Sequence, residues 1–68
     1  MSLLGETLKA RREHLQLGLR EAARDAGVSH ATLSRVERGE DPDIPNFAKL
    51  CRWLGLAPGM FLSENGLK

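Results

Sequence analysis

The chain has 68 residues, of which 41% are hydrophobic and 28% are charged, and this composition predicts one small globular domain over residues 1–68. Ten Lys and Arg residues against nine Asp and Glu residues give a net charge of +1, which is only weak support for an anionic partner. The single cysteine, the lack of a long apolar run and the short length exclude a disulfide-stapled secreted protein, a membrane span and a large cofactor-binding enzyme. We therefore expect a cytoplasmic protein without a membrane partner.

The residue types favour helices throughout the chain. Leu, Ala, Arg and Glu are abundant, β-branched residues are few, and glycines separate the stretches of helical periodicity. A first helix is predicted over residues 3–15. The residues that recur at helical spacing on its apolar face are Leu4, Leu8, Arg12 and Leu15. Arg12 is the only charged member of this face, so it requires a partner inside the domain.

Two short helices with a tight turn between them are predicted next. The second helix covers residues 19–26, and the residues of its inner face are Leu19, Ala22, Ala23 and Ala26. Gly27 ends this helix, since only glycine adopts the left-handed conformation without steric cost. Ser29 is a good N-cap for a third helix that runs to Arg38 before Gly39. Two such helices joined by a glycine-containing turn form a helix-turn-helix.

The third helix separates two kinds of side chain. Leu33, Val36 and Glu37 share one face, and the opposite face contains His30, Ala31, Ser34, Arg35 and Arg38. Small side chains followed by arginines suit a helix that enters a groove about 12 Å wide and reads base edges. The solvated face of any small bundle has the same pattern, and only the tight turn before this helix favours the nucleic-acid interpretation.

Two charged residues lie on apolar faces of different helices. Arg12 interrupts the apolar face of the first helix, and Glu37 lies beside Leu33 and Val36 on the third. Because neither charge can be desolvated without a partner, we expect an ion pair between Arg12 and Glu37.

A fourth helix is predicted over residues 44–54, with Asp43 as its N-cap. Its inner face is expected to contain Ile44, Phe47, Cys51 and Leu54. A fifth, short helix over residues 58–63 would complete the core. Trp53 lies away from the inner face of the fourth helix, so residues 60–62 fold back over it or it is exposed as a dimer contact.

The sequence of residues 19–39, LREAARDAGVSHATLSRVERG, resembles the helix-turn-helix of the phage repressor and Cro-like family, often called the XRE family. The shared pattern is Ala-x-x-x-Gly-Val-Ser, then Leu-x-x-Val-Glu-x-Gly and a later Leu-Gly-Leu, and the resemblance covers residues 4–62. It implies an all-α, compact five-helix lambda-repressor-like DNA-binding domain with the helix-turn-helix at its second and third helices. It also implies a homodimer that binds double-stranded DNA at a near-palindromic operator.

The resemblance implies the DNA contacts residue by residue. The base-reading positions correspond to His30, Ala31, Thr32 and Arg35. The phosphate-binding positions correspond to Leu19, Arg20, Arg24, Ser34 and Arg38. Two features depart from the family: Leu19 stands where a polar side chain is common, and acidic residues follow Gly39 where basic ones are common. These acidic residues, Glu40, Asp41 and Asp43, would lower the affinity for a phosphate backbone.

No catalytic or metal-binding pattern is evident. His14 and His30 lie on different helices, and Cys51 is expected to be a small residue of the core. We therefore expect no enzyme, no metal and no cofactor. The first hypothesis is a sequence-specific DNA-binding transcriptional regulator, a repressor that acts as a homodimer. The alternative is an antitoxin-type or adaptor module that uses the same fold to bind a protein partner such as a toxin. The dimer contact is expected at Trp53, Leu56, Met60 and Phe61.

Overall fold

Four α-helices make up the part of the chain that the computed structural model describes, residues 2–56. They are α1 (Ser2–His14), α2 (Leu19–Ala26), α3 (His30–Glu37) and α4 (Ile44–Leu54). No strand occurs in these residues, so the prediction of an all-α domain is confirmed for this part of the chain. The fifth helix, expected over residues 58–63, lies outside the described residues.

All four helices end with the same backbone motif. In each, a residue with positive φ donates its N–H to the carbonyl three residues earlier, and the next N–H reaches the carbonyl five residues earlier. The positive-φ residue is glycine after α2, α3 and α4, at Gly27, Gly39 and Gly55. After α1 it is Gln16, with φ 59°. The Cβ of a glutamine makes this left-handed conformation unfavourable, whereas glycine adopts it without steric cost.

Gln16→Gly is therefore expected to raise the free energy of unfolding by about 0.5–1 kcal/mol. The left-handed conformation costs a non-glycine residue about 1–2 kcal/mol, which exceeds the extra unfolded-state entropy of glycine, about 0.4–1 kcal/mol. Urea unfolding measures the change. The reverse substitution, Gly39→Gln, is a matched control, because φ is 106° there and a Cβ would meet no atom within 4 Å. It should destabilise the domain by a similar amount, and a destabilising Gln16→Gly would disprove the strain.

The core lies where the four helices meet. Its residues are at most 2% exposed, and they are Leu4, Leu8, Ala22, Ala23, Leu33, Val36, Leu50 and Cys51. Helix α3 packs against both α1 and α2, and α4 packs mainly against α2. The two alanines of α2 are small, so the neighbouring helices approach α2 closely. The core therefore fixes α2 and α3 relative to each other from their inner faces and leaves the outer faces on the surface.

Two of the expected core residues lie on the surface instead. Ile44 is 81% exposed and Leu15 is 41% exposed, so the prediction that they join the apolar faces of α4 and α1 is wrong. Ile44 is the first residue of α4, and the buried face of this helix turns toward Leu50, which is fully buried. Leu15 follows the last residue of α1, where the chain turns at Gln16.

A buried glycine brings α1 into direct contact with the backbone of α3. A Cβ on Gly5 would overlap the carbonyl oxygen of Val36 and would lie 3.2 Å from Cα of Glu37. Only a residue without a side chain fits between the two helices at this point. The position of Gly5 therefore sets the distance between α1 and the C-terminal half of α3.

Candidate nucleic-acid interface

A three-residue turn joins α2 to α3. Gly27 has φ 87°, and its N–H donates to the carbonyl oxygen of Ala23 at 2.8 Å. The N–H of Val28 donates to the same oxygen at 3.0 Å. Ser29 then caps α3, because its Oγ accepts from the N–H of Thr32 at 3.1 Å. Every residue of the turn is thus held by its own contacts, as a helix-turn-helix requires.

The start of α2 is capped by one side chain. Glu21 Oε1 accepts from the N–H of Gly18 at 3.0 Å, which is half of a capping box, since Gly18 has no side chain to complete it. The side chain of Leu19 packs against the core. A phosphate contact by Leu19 can therefore involve only its backbone N–H, which has no acceptor within the helix. This packing accounts for a leucine at a position where a polar residue was expected.

The outer face of α3 is on the surface, and its inner face is in the core. Leu33 and Val36 are at most 2% exposed. Thr32 and Ser34 are half-buried at the edges of the outer face. The exposed residues are His30, Ala31, Arg35 and, just after the helix, Arg38. The structure therefore places three of the expected base-reading residues on the exposed face of α3 and the fourth, Thr32, at its half-buried edge.

The hydroxyl of Thr32 is part of the cap of α3. Its Oγ1 accepts from Ser29 Oγ at 2.9 Å, while its backbone N–H donates to the same Oγ at 3.1 Å. A hydroxyl has one donor and two acceptor sites, so its proton and one acceptor site remain for a base. This double contact with the cap had no counterpart in the sequence analysis, although the Ser-x-x-Thr spacing could have indicated it.

Three exposed arginines lie on the two helices of the motif or directly after them. Arg20 and Arg24 lie on α2, and Arg38 directly follows α3. Among residues 2–56, none of the three has a carboxylate within ion-pair distance. Exposed guanidinium groups without a carboxylate partner are the groups that bind phosphate oxygens.

The fourth exposed arginine of the motif does have a carboxylate neighbour. Arg35 Nε lies 3.8 Å from Glu40 Oε1, and the two side chains are 51% and 61% exposed. The N–H of Glu40 also donates to the carbonyl oxygen of Arg35 at 3.1 Å. Sequence analysis assigned Glu40 only a general effect on phosphate affinity, and the structure places it beside the longest side chain on the outer face of α3.

Arg12 connects α1, the segment before α2, and α3. Its Nε donates to Glu37 Oε2 at 2.9 Å, and its Nη2 donates to Glu37 Oε1 at 3.0 Å. Its Nη1 donates to the carbonyl oxygen of Leu17 at 3.1 Å. The hydrogen bonds to Glu37 raise the pKa of Arg12, and they outweigh burial, which acts in the opposite direction. One always-charged side chain thus holds both ends of the helix-turn-helix against α1.

The four expected dimer residues are not all described. Trp53 packs against the core, contrary to the expectation that it faces away from it, and it is half-buried. Its Nε1 donates a long hydrogen bond, 3.4 Å, to Asp25 Oδ2 on α2. Leu56 is also half-buried against the core. Met60 and Phe61 lie outside the described residues.

The described residues offer no site for a metal. Between residues 2 and 56, no three His, Cys, Asp or Glu side chains come close enough to hold an ion. Cys51 is fully buried, and burial raises the pKa of its thiol, so the reactive thiolate is disfavoured. Each helix in this part of the chain is too short or too polar to cross a lipid bilayer.

Comparison with known proteins identifies one match. The family described as a helix-turn-helix domain matches this chain over residues 3–61, which include the whole of α2, the turn and α3. No curated protein and no solved structure matches the chain.

Proposed function

The chain belongs to the helix-turn-helix domain family, and on that premise we propose that it is a sequence-specific DNA-binding transcriptional regulator. Domains of this kind bind DNA and are typically not enzymes. The recognition helix, residues 29–38, enters the major groove. A homodimer occupies a near-palindromic operator and represses transcription from it.

The observation that carries this proposal is that the helix-turn-helix has three exposed arginines without a carboxylate partner. Arg20, Arg24 and Arg38 are exposed and have no carboxylate partner within residues 2–56. The exposed face of α3 begins with His30 and the small Ala31, and this short start leaves room for base edges. A helix that reads DNA needs phosphate contacts on both sides of such a face, because those contacts fix its register.

We propose a homodimer because the surface by which one recognition helix contacts base pairs is small. One recognition helix contacts too few base pairs to select a single operator from a genome, and a two-fold dimer doubles the site. The proposed contact surface consists of Trp53, Leu56, Met60 and Phe61. The two recognition helices of such a dimer lie about 34 Å apart, which is one turn of the duplex.

Selection of bound sequences from a random duplex pool, at 0.15 M salt, tests the proposal. We expect enrichment of a near-palindrome whose half-sites are about 10 base pairs apart. Enrichment of a single half-site would refute the homodimer but keep the DNA-binding regulator. A pool that remains random through repeated rounds would refute sequence-specific binding.

Arg35→Ala is expected to weaken binding to the selected operator by about 1–3 kcal/mol and to leave binding to random duplex almost unchanged. The guanidinium of Arg35 can donate two hydrogen bonds to O6 and N7 of guanine, which is the commonest specific contact in the major groove. Titration of both duplexes measures the two affinities. Equal losses on both would assign Arg35 to the phosphate backbone.

Arg38→Ala is the matched control, because this exposed arginine lies at the end of the same helix. It should weaken binding to all duplexes alike. It should also reduce the slope of log affinity against log salt by about 0.9 per bound copy, since each phosphate contact releases counterions. An unchanged slope would mean that Arg38 contacts no phosphate.

The alternative function, binding of a protein partner such as a toxin, is favoured by one surface next to α3. The acidic loop, residues 40–43, precedes Ile44, which is 81% exposed. A bulky apolar side chain beside carboxylates suits a basic protein better than it suits DNA. If the random pool yields no preferred sequence, this alternative becomes the leading hypothesis.

A further inference from the structure

Glu40 is held beside Arg35 by the way in which α3 ends. Gly39 has φ 106°, and this left-handed residue turns the chain back along the helix. The N–H of Glu40 consequently donates to the carbonyl oxygen of Arg35 at 3.1 Å. Residues five positions apart thus lie side by side, and the backbone brings the side chain of Glu40 next to that of Arg35.

The carboxylate lies nearest to one particular nitrogen of the guanidinium. Glu40 Oε1 is 3.8 Å from Nε of Arg35. A guanidinium has five N–H donors, of which Nε carries one and the two terminal nitrogens carry four. Guanine needs two donors, for O6 and N7. Arg35 can therefore bind a guanine through its terminal nitrogens while its Nε still faces Glu40.

The same carboxylate has a different effect on DNA that offers no guanine. It is 61% exposed next to the proposed binding surface, so an approaching phosphate backbone meets a negative charge there. Repulsion between like charges lowers the affinity for every duplex. Only a sequence with a guanine opposite Arg35 recovers this loss, because Glu40 orients the guanidinium that binds it.

We infer that Glu40 is a specificity-determining residue of the DNA-binding site: it positions Arg35 from the side of Nε and disfavours duplexes that offer Arg35 no guanine. This inference rests on the proposed function. Glu40 acts in part through another side chain, so it is a positioning residue and need not touch a base. The acidic loop, which at first sight weakens DNA binding, then contributes to selectivity.

Glu40→Gln tests the inference on the full chain, with the selected operator and a random duplex measured side by side. Loss of the repelling charge should raise the affinity for random duplex about threefold. The operator should gain little, because Arg35 also loses its orienting partner. The ratio of the two affinities should therefore fall about threefold. The thermal midpoint should stay the same, since the hydrogen bond that ends α3 uses the backbone N–H of Glu40.

Asp43→Asn is the matched control for charge. It removes one carboxylate from the same loop, and its amide oxygen can still accept from the N–H of Asn46, as Asp43 Oδ1 does at 3.0 Å. It should change both affinities by the same factor and leave their ratio unchanged. A second control repeats Glu40→Gln in the Arg35→Ala background. There the substitution should no longer change the ratio of the two affinities.

Each outcome decides a separate point. If the wild type selects an operator and Glu40→Gln leaves the ratio unchanged, the inference is wrong and the proposed function stands. If Asp43→Asn lowers the ratio as much as Glu40→Gln does, loop charge alone is responsible and the inference is again wrong. If the wild type selects no sequence, the proposed function fails and the inference fails with it.

Discussion

Glu37→Ala is expected to lower the free energy of unfolding by about 3 kcal/mol, because it leaves the charge of Arg12 without its partner. The side chains of Arg12 and Glu37 are only 16% and 7% exposed. Water therefore cannot replace the two hydrogen bonds that the carboxylate accepts. A domain of this length has a total stability of about 3–10 kcal/mol, so this one change removes much of it. Urea unfolding, with the Gln16→Gly background as a more stable host, measures the loss.

Two further variants separate the ion pair from other effects. Arg38→Ala removes an exposed arginine next to Glu37 in sequence and should change the stability by less than about 0.5 kcal/mol. The double variant Arg12→Met, Glu37→Leu should recover part of the loss, because it leaves no unpaired buried charge. A Glu37→Ala variant as stable as Arg38→Ala would show that the pair contributes nothing.

Gly5→Ala is expected to destabilise the domain by at least about 2 kcal/mol, although alanine is the better helix former. The new Cβ would overlap the carbonyl oxygen of Val36, which is backbone and cannot rotate away. Helices α1 and α3 must then separate, and this movement also pulls Arg12 away from Glu37. Unfolding in urea and the near-ultraviolet signal of Trp53 report the loss of packing.

Ala10→Gly is the control for this substitution, because residue 10 is exposed in the same helix. There, alanine should be more stable than glycine by about 1 kcal/mol, which is the usual difference in an exposed helix. The preference should therefore reverse between positions 5 and 10 of α1. The same preference at both positions would mean that the close approach of α3 does not depend on Gly5.

The helices themselves could be predicted because their signals are local. Glycine after a run of helical periodicity predicts a left-handed end, and Gly27, Gly39 and Gly55 all have positive φ. The pairing of Arg12 with Glu37 could also be inferred, since a charge on an apolar face is costly to bury without an oppositely charged partner. The structure brings these two side chains within 3.0 Å of each other.

Other features depend on how the helices pack, and the sequence alone does not determine them. Gly5 looks like an unfavourable residue in a helix until α3 is seen to lie against it. Ile44 is exposed because it is the first residue of α4, whereas Phe47, Cys51 and Leu54 of the same expected face do pack in or against the core. Gln16 adopts a left-handed conformation because residue 17 must return to the carbonyl of Arg12, and no glycine marks that place.

The neighbour of Arg35 was within reach of sequence analysis. A glycine in the left-handed conformation makes the following residue bond to the carbonyl five positions earlier. Gly39 therefore implies that Glu40 lies beside Arg35, as the structure shows.

The division of α3 into an inner and an outer face separates the residues that stabilise the fold from those proposed to bind DNA. The inner face, with Leu33, Val36 and Glu37, attaches the helix to the rest of the domain. His30, Ala31 and Arg35 are exposed and belong to no part of the core. If the proposed function holds, substitutions at these three positions change the preferred operator while the fold keeps its stability. A new operator preference then needs only a few surface substitutions and no compensating mutation in the interior.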